Sequence, residues 1–402
     1  MVDAVLAGHS GADMQVQAGS PVDFTLAFNP AGSAVLERYR AFAAAVPKGP
    51  AQHPVWVEAW GATSSSRLVM MEISHRGAVV LMMPLEIIRR RGLTIARAIG
   101  GTHANGNFPA SDPSFARNLS AELTHEIDRS IRRSDLDADL VLVERQAHEI
   151  GGHANPLAAL ASTESPNVAL AVDLNNGFGA VLDRVGRKRR LKKHRAQTRK
   201  LEAAGGFGHR EAKTEAEVEA LLAAFLQQKG ERFRKLGIEN VFTDHQPFFE
   251  QLFKRSLAEA ETPFRLHALE VGDKLRAVTG SSHLGDRVIC EFSSIAEDEL
   301  LQVSPGDFLS FLNIEAAADQ GATVYDFSVG DEPYKRGWCD LVSTQFDIAV
   351  PLTLRGRAYA ALLIAASRAK RQVKSNERLW SMVKRLRRSK AAASGATAEA
   401  DD

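Results

Sequence analysis

The stretch 326–338 (DFSVGDEPYKRGW) collects groups able to do chemistry at close spacing. Asp326 closes a run that is otherwise apolar, an uncommon place for a carboxylate. Asp331 and Glu332 have the type for a general base, Tyr334 for a general acid, and Lys335 for pairing with a phosphate or carboxylate. The same residues can instead form a solvated turn, with Asp side chains capping backbone N–H groups and Lys335 neutralising Asp326. Upstream, Ser304-Pro305-Gly306 has the order of a helix start: a preferred N-cap, a preferred first helical residue, and a residue that lets another backbone come close. The N–H groups of such a first turn suit a pyrophosphate, although Asp307, next in line, adds a like charge.

A second charged feature is the run 187–200, which holds nine Lys or Arg. It suits a polyanion, an anionic lipid surface, the wall of an anionic ligand site, or plain solvent. With no aromatic beyond His194, it does not read as a base-stacking platform. His148 and His153 stand five apart across Gly151-Gly152, which breaks the helix a zinc pair needs, so no metal is expected. The only cysteines, Cys290 and Cys339, form neither a disulfide framework nor a four-thiolate zinc site and are expected as buried free thiols. The 50 Lys and Arg against 49 Asp and Glu leave a net charge of +1, too little for a global attraction to nucleic acid or membrane. The N-terminus lacks the basic-then-apolar pattern of a secretory signal, and no run reaches the roughly 18 apolar residues of a membrane span. The expected location is the cytoplasm, with the basic C-terminal stretch allowing contact with the inner membrane.

These groups must be positioned by more than one core, because 402 residues exceed an ordinary single domain. The expected organisation is a disordered N-terminus (1–20), an N-terminal domain (21–165), a C-terminal domain (166–350), a basic helical extension (351–390) and a disordered tail (391–402). In the first part, strands are expected at 22–28, 67–74, 78–88 and 138–144, and helices at 34–46, 53–60 and 115–133. A glycine-rich loop lies at 99–107. In the second part, a strand at 168–174 precedes a long basic helix at 182–204 and helices at 215–236 and 247–261. A three-strand meander follows over 264–294, turning at Gly272-Asp273 and Gly285-Asp286. A helix after Ser304, a strand at 323–327 and a last strand at 344–350 complete it. Both parts share one coarse order, which reads as an internal duplication within an α+β fold.

On these motifs, residues 168–338 resemble the GNAT-fold acyltransferases of the CelD/BcsL type, associated with bacterial cellulose biosynthesis and akin to FemAB-like proteins. The resemblance runs through the basic helix RKRRLKKHRAQTRKLEAAGG, the helix end QQKGERFRKLG around Arg232, the meander with Ala277, the Ser-Pro-Gly start, and the helix end from Ala317 to Gly321. It closes on Asp-Phe-x-x-Gly-x-Glu-x-Tyr-Lys-x-x-Trp from Asp326 to Trp338. It implies tandem GNAT-like (acyl-CoA N-acyltransferase) units, each a mixed, mostly antiparallel sheet flanked by helices, the first one degenerate. It further implies an acetyl-CoA or other acyl-CoA donor held at Ser304, Gly306, Asp307 and Phe308. Asp326 or Glu332 would be base or substrate anchor, Tyr334 the acid, and Arg232 and Lys335 substrate contacts. The acceptor would be an amine or hydroxyl of a small molecule or glycan precursor, with polysaccharide-synthesis machinery as partner. The alternatives are a non-catalytic accessory protein and a FemAB-like transferase using aminoacyl-tRNA, in which the basic helix would meet the nucleic acid.

Overall fold

The computed structural model describes residues 23–237 and 239–375. The expectations of disorder at 1–20 and 391–402 lie outside these residues, as does the end of the basic extension. In the first half, β1 (Phe24–Pro30) leads to α1 (Ser33–Ala44) and α2 (Pro54–Thr63), then β2 (Arg67–His75), β3 (Ala78–Arg90), β4 (Leu93–Ala98) and the short β5 (Ala110–Ser111). Next come α3 (Pro113–Arg117), α4 (Ala121–Arg132), β6 (Leu140–Ala147) and the small hairpin β7 (Glu149–Ile150) and β8 (His153–Ala154). The second half runs β9 (Thr163–Asp173), α5 (Gly177–Val185), α6 (Arg187–Ala203), β10 (Phe207–Glu211), α7 (Glu215–Leu236), α8 (Gln246–Leu257), β11 (Phe264–Val271), β12 (Lys274–Leu284) and β13 (Arg287–Ile295). It ends with α9 (Pro305–Asp319), β14 (Val324–Val329), α10 (Pro333–Arg336), β15 (Leu341–Pro351) and α11 (Leu354–Ser375).

Local chemistry explains where the elements begin and stop. Helix α7 matches the expected 215–236 at both ends. Thr214 and Glu217 form a reciprocal capping box, and Gly237 ends the helix in the left-handed region at φ 64°. The long basic helix expected at 182–204 is broken instead: Gly186, at φ 87°, separates α5 from α6. The helix expected at 115–133 also divides, because the Ser120 hydroxyl caps a new start by accepting from the Leu123 N–H at 3.2 Å. Strand β10 was not expected. It pairs antiparallel with β11 from Phe207↔Val271 to Glu211↔His267.

The strands form one mixed sheet in the order β1-β2-β3-β4-β6-β15-β9-β14-β13-β12-β11-β10, with β5 beside β3. The order and the pairing directions read the same from either end. β4 runs parallel to β6 as β13 does to β14, and the other neighbours are antiparallel. The two halves therefore repeat one unit, and their half-sheets merge into a single sheet rather than standing apart. The join is reciprocal: β9 follows β6 in sequence but pairs with β14, while β15 follows β14 but pairs with β6, and β9 and β15 pair with each other. On one face, a shared core crosses the join, with Trp56 and Trp60 of α2 each packed edge-on to Phe248 of α8 at 4.9 Å. The opposite face of the second half is closed by α5 and α9 over Val288, Cys290, Tyr325 and Trp338.

Candidate active site

The parallel strands β13 and β14 pair only at Arg287↔Val324, Val288↔Tyr325 and Ile289↔Asp326, and then separate. Past that point, β13 continues along β12 alone. Its register there skips a residue: Ser281 faces Cys290, Gly280 faces Phe292, and Glu291 is the extra residue of a β-bulge. A bulge leaves backbone unpaired and re-aims the side chain, and bulges gather beside active sites. The Glu291 Oε1 accepts from the Ser282 hydroxyl at 2.7 Å, while Oε2 is buried with no partner in the protein. Burial pushes this carboxyl up to about 8, helped by the Asp326 charge and opposed by the Ser282 hydrogen bond and the nearby Asn105 amide. The equivalent step in the first half, two residues past the last parallel pair Arg97↔Leu142, is the apolar, fully buried Ile99. Only the second half therefore carries a titratable group at this point.

Gly280 supports the bulge. A Cβ at Gly280 would stand 2.3 Å from Cζ of Phe292, so the ring lies where a side chain would be. Gly280→Ala is expected to cost about 1–3 kcal/mol through overpacking and to shift the Phe292 ring, measured as a lower urea midpoint at unchanged m-value.

The turn after β14 holds the residues singled out from the sequence. Ser328 at φ 62° and Gly330 at φ 131° turn the chain sharply. Asp326 is 7% exposed and accepts from Arg287 Nη2 at 2.7 Å and from the Ser328 N–H at 2.6 Å. Its ion-pair partner is Arg287, not Lys335. Lys335, 5% exposed, donates to the Val329 carbonyl at 3.0 Å and pairs with Glu332 at 2.8 Å. Gly330 admits this pair, because a Cβ there would lie 2.6 Å from Glu332 Oε2 and 2.8 Å from Lys335 Nζ. Asp331 pairs outward with Arg336.

Tyr334 is 45% exposed, with its ring edge-on to Phe327 at 6.0 Å. Desolvation nevertheless holds its phenol above the ordinary pKa range, with Cys290 and Glu332 adding to the rise and Ser293 acting against it, so it stays protonated. Burial likewise pushes the Cys290 and Cys339 thiols up to about 12. Neither is thiolate at neutral pH, and neither is suited to carry an acyl group.

Helix α7 supplies Lys229 and Arg232 to the same region. Burial, then the Arg232 charge, lowers the Lys229 ammonium to about 8, and Glu332 and Lys335 are among the groups that act on it. Arg232 pairs with Glu297 at 3.9 Å, and Lys235 shares that carboxylate at 2.6 Å.

The start of α9 is built differently from the sequence expectation. Ser304 lies in the left-handed region at φ 59° and makes no side-chain cap. Gly306 is packed against Ile295, whose Cγ2 would stand 2.9 Å from an added Cβ. Asp307 faces α6, pairing with Arg190 at 3.0 Å and Lys193 at 2.8 Å. Burial acts to raise the Asp307 pKa, but Lys193 and Arg190 outweigh it and leave it lowered. Gln197 of α6 donates to the Val303 carbonyl at 2.8 Å. Phe308 is fully buried, 4.6 Å from the stacked His194 ring. A diphosphate at this first turn would therefore have to share Arg190 and Lys193 with Asp307.

The structure thus gathers Glu332, Tyr334 and Lys335 near Arg232 and Lys229, holds Asp326 in a separate pair on β14, and places Ser304–Phe308 under the basic helix. The sequence reading missed Glu291 and Lys229. Glu291 lies in the strand EFSSI with nothing to mark the bulge. Lys229 reads as one more solvent lysine on an amphipathic helix.

Residues 187–336 match the acetyltransferase (GNAT) domain family. Among solved structures, that of FemX is similar at TM-score 0.55 and 12% identity over 82% of this chain and 98% of that one. L-PGS from Bacillus licheniformis scores 0.49 at 11% identity over 83% and 95%, and a tandem GNAT protein from the clavulanic acid biosynthesis pathway scores 0.42 at 10% over 82% and 99%. No curated protein matches the sequence. At these identities the likeness concerns the fold, and the expected class, GNAT-like units with a mixed sheet flanked by helices, is the one observed. Among the described residues, no helix is long and apolar enough to cross a membrane, and no group of His, Cys, Asp and Glu is arranged to hold a metal ion.

Proposed function

We propose that this protein transfers an acyl group from a thioester of the acyl-CoA class directly to an amine or hydroxyl, using its second half as the catalytic unit and its first as a degenerate copy. The observation that carries this reading is the separation of β13 from β14 at the bulge bearing the buried carboxyl of Glu291. In this reading the thioester enters between the strands, with its carbonyl against bulge N–H groups. Glu291, as carboxylate, takes the proton of the attacking nitrogen or oxygen as the new C–N or C–O bond forms. The C–S bond then breaks, the thiolate takes a proton from Tyr334, and solvent returns one proton to the phenol and removes one from Glu291. Asp326 and Glu332, the bases suggested by the sequence, are engaged by Arg287 and Lys335. We assign them to holding the turn and the opening in shape. The resemblance to the cellulose-associated type suggests a cytoplasmic enzyme acting on an envelope or polysaccharide precursor, for which glucosamine is a simple probe.

The test is thiol release from an acyl-CoA panel, together with the stability of the protein. A donor at about 100 times its dissociation constant should add about 2.7 kcal/mol to unfolding. Neither stabilisation nor thiol release with any member would remove this reading and favour the accessory one. Tyr334→Phe should lower kcat by about 10²-fold, with less loss for donors that release a more acidic thiol. An equal loss with all donors would deny it the acid role.

The basic helix supports a second reading, an aminoacyl-tRNA donor. Lys188, Arg189, Lys192, Arg195, Arg199 and Lys200 are exposed on α6. That reading expects RNA binding whose affinity falls with salt at a slope of about −0.7 per phosphate contacted. A flat salt response removes it.

A further inference from the structure

The two halves treat the gap between their parallel strands differently. In the second half, β13 and β14 separate after Ile289↔Asp326, and among the described residues no other segment bridges them. In the first half, β4 and β6 separate after Arg97↔Leu142. The chain turns out of the gap at Gly100 and Gly101, at φ 83° and 50°, and comes back beside β6 at Asn107. There Asn107 bridges Gln146 in the parallel sense. Its N–H donates to the Arg145 carbonyl and its carbonyl accepts from the Ala147 N–H, both at 2.9 Å. Buried amides lock it in place. Gln52 donates to Asn107 Oδ1 at 2.8 Å and accepts from the Phe108 N–H at 2.9 Å, and the Asn107 amide donates to the Glu144 carbonyl at 2.8 Å. The first half therefore fills its own gap, and the loop that does so reaches across to the second.

Thr102, His103 and Asn105 of that loop line a cavity of about 50 Å³ together with Glu291. This is room for a few water molecules and nothing larger. Arg145 holds the loop, its Nη1 donating to the Thr102 carbonyl at 3.0 Å and to Asn105 Oδ1 at 3.3 Å. A guanidinium has only donors, so the amide oxygen of Asn105 must face Arg145, and its amino group is left to serve something else. Glu291 Oε2 lines the same cavity, is buried, and has no partner among the described residues. Asn105 acts on this carboxyl in favour of its charged form, against burial and the Asp326 charge. The other charged or titratable groups near it are Asp326, which pairs with Arg287, and His103, whose charging His245, Arg145 and Arg97 oppose. The rest of the lining is Trp56, Leu252 and phenylalanine rings, none of them titratable.

Resting on Glu291 as the base of the acyl transfer, we propose that Asn105 is a positioning residue for it, lent by the first half. Its amino group holds Oε2 of the charged carboxyl, on an arm anchored where the first half fills its own gap. The first half then takes part in the reaction without touching donor or acceptor.

Paired melting curves of the full-length protein and its Glu291→Gln form, from about pH 5 to about 10 and with no donor, read the titration of Glu291 directly. The difference within the pair should change around pH 8 in the wild-type background. In an Asn105→Ala background that change should move about one unit alkaline. Asn105→Asp keeps an oxygen for Arg145 but turns a second one on Glu291, and should move it at least as far. Gln52→Ala, which frees the arm at Asn107, should move it in the same direction. Each pair shares its background, so a general loss of stability cancels. In thiol release, Asn105→Ala should lose about tenfold in kcat/KM at about pH 7 and recover by about pH 10. A midpoint that neither Asn105 variant moves would overturn the proposal, and so would a rate loss equal at every pH. A midpoint moved by both but not by Gln52→Ala would overturn the arm. Moved midpoints without thiol release from any acyl-CoA would keep Asn105 on the carboxyl and sink the transfer.

Discussion

Glu291→Gln should lower kcat/KM by about 10²–10⁴-fold while leaving the fold in place. Gln keeps the oxygen that accepts from Ser282 at 2.7 Å, and it is close in volume to Glu, so the bulge loses nothing sterically. What it loses is the ability to take a proton. With the carboxyl at about 8, the wild-type rate should rise with pH through neutrality and level off above that value, whereas the variant should show no such limb. The same titration governs stability. The folded-state pKa lies above the ordinary carboxyl value, so folding favours the protonated form. That contribution is fully present below the ordinary carboxyl range and is lost as pH rises through about 8. Relative to Glu291→Gln, the wild type should therefore melt progressively lower as pH is raised from about 5 to above 8. A variant with wild-type kcat and an unchanged pH profile would place the base elsewhere.

The sequence made the elements legible where local chemistry decides them. The box of Thr214 and Glu217 and the stop at Gly237 delimit α7, and Gly272-Asp273 and Gly285-Asp286 mark turns of the meander. It was misleading where one residue interrupts a pattern that otherwise continues, as at Gly186 between α5 and α6. The site was less legible than the fold, for a physical reason. Whether Asp326 is a free base or a spent one depends on Arg287, which lies 39 positions away on the neighbouring strand. The raised carboxyl of Glu291 comes from burial at a one-residue slip against β12 and from the Asp326 charge on β14, while Asn105, from a loop of the other half of the chain, acts against it. Composition around either residue carries no trace of these partners. The duplication was visible as a repeated order of elements, but the exchange of β9 and β15 was not, since each strand pattern is satisfied by either partner.

Trp338→Ala should be the most destabilising of the substitutions considered, at about 3–5 kcal/mol. Trp338 is 1% exposed and packs edge-on to Phe311 at 5.9 Å, within the core beneath α5 and α9. Its loss removes the transfer free energy of a large ring and leaves a cavity among groups that cannot all collapse. It also removes two polar contacts. The Arg190 guanidinium lies 4.0 Å over the indole, and the indole N–H donates to Asp307 at 3.3 Å. Arg190 in turn holds Asp307 and the Gly337 carbonyl, so one ring joins the basic helix α6, the start of α9 and the end of the 326–338 turn. Besides a lower urea midpoint, the variant should lose hydrogen-exchange protection along α6. Trp338→Phe, which keeps a ring under Arg190, should recover most of the stability and leave only the Asp307 contact unmade. If α6 were merely a solvated basic helix, its protection would not change when Trp338 is removed, and no link would join the basic run to the turn after β14.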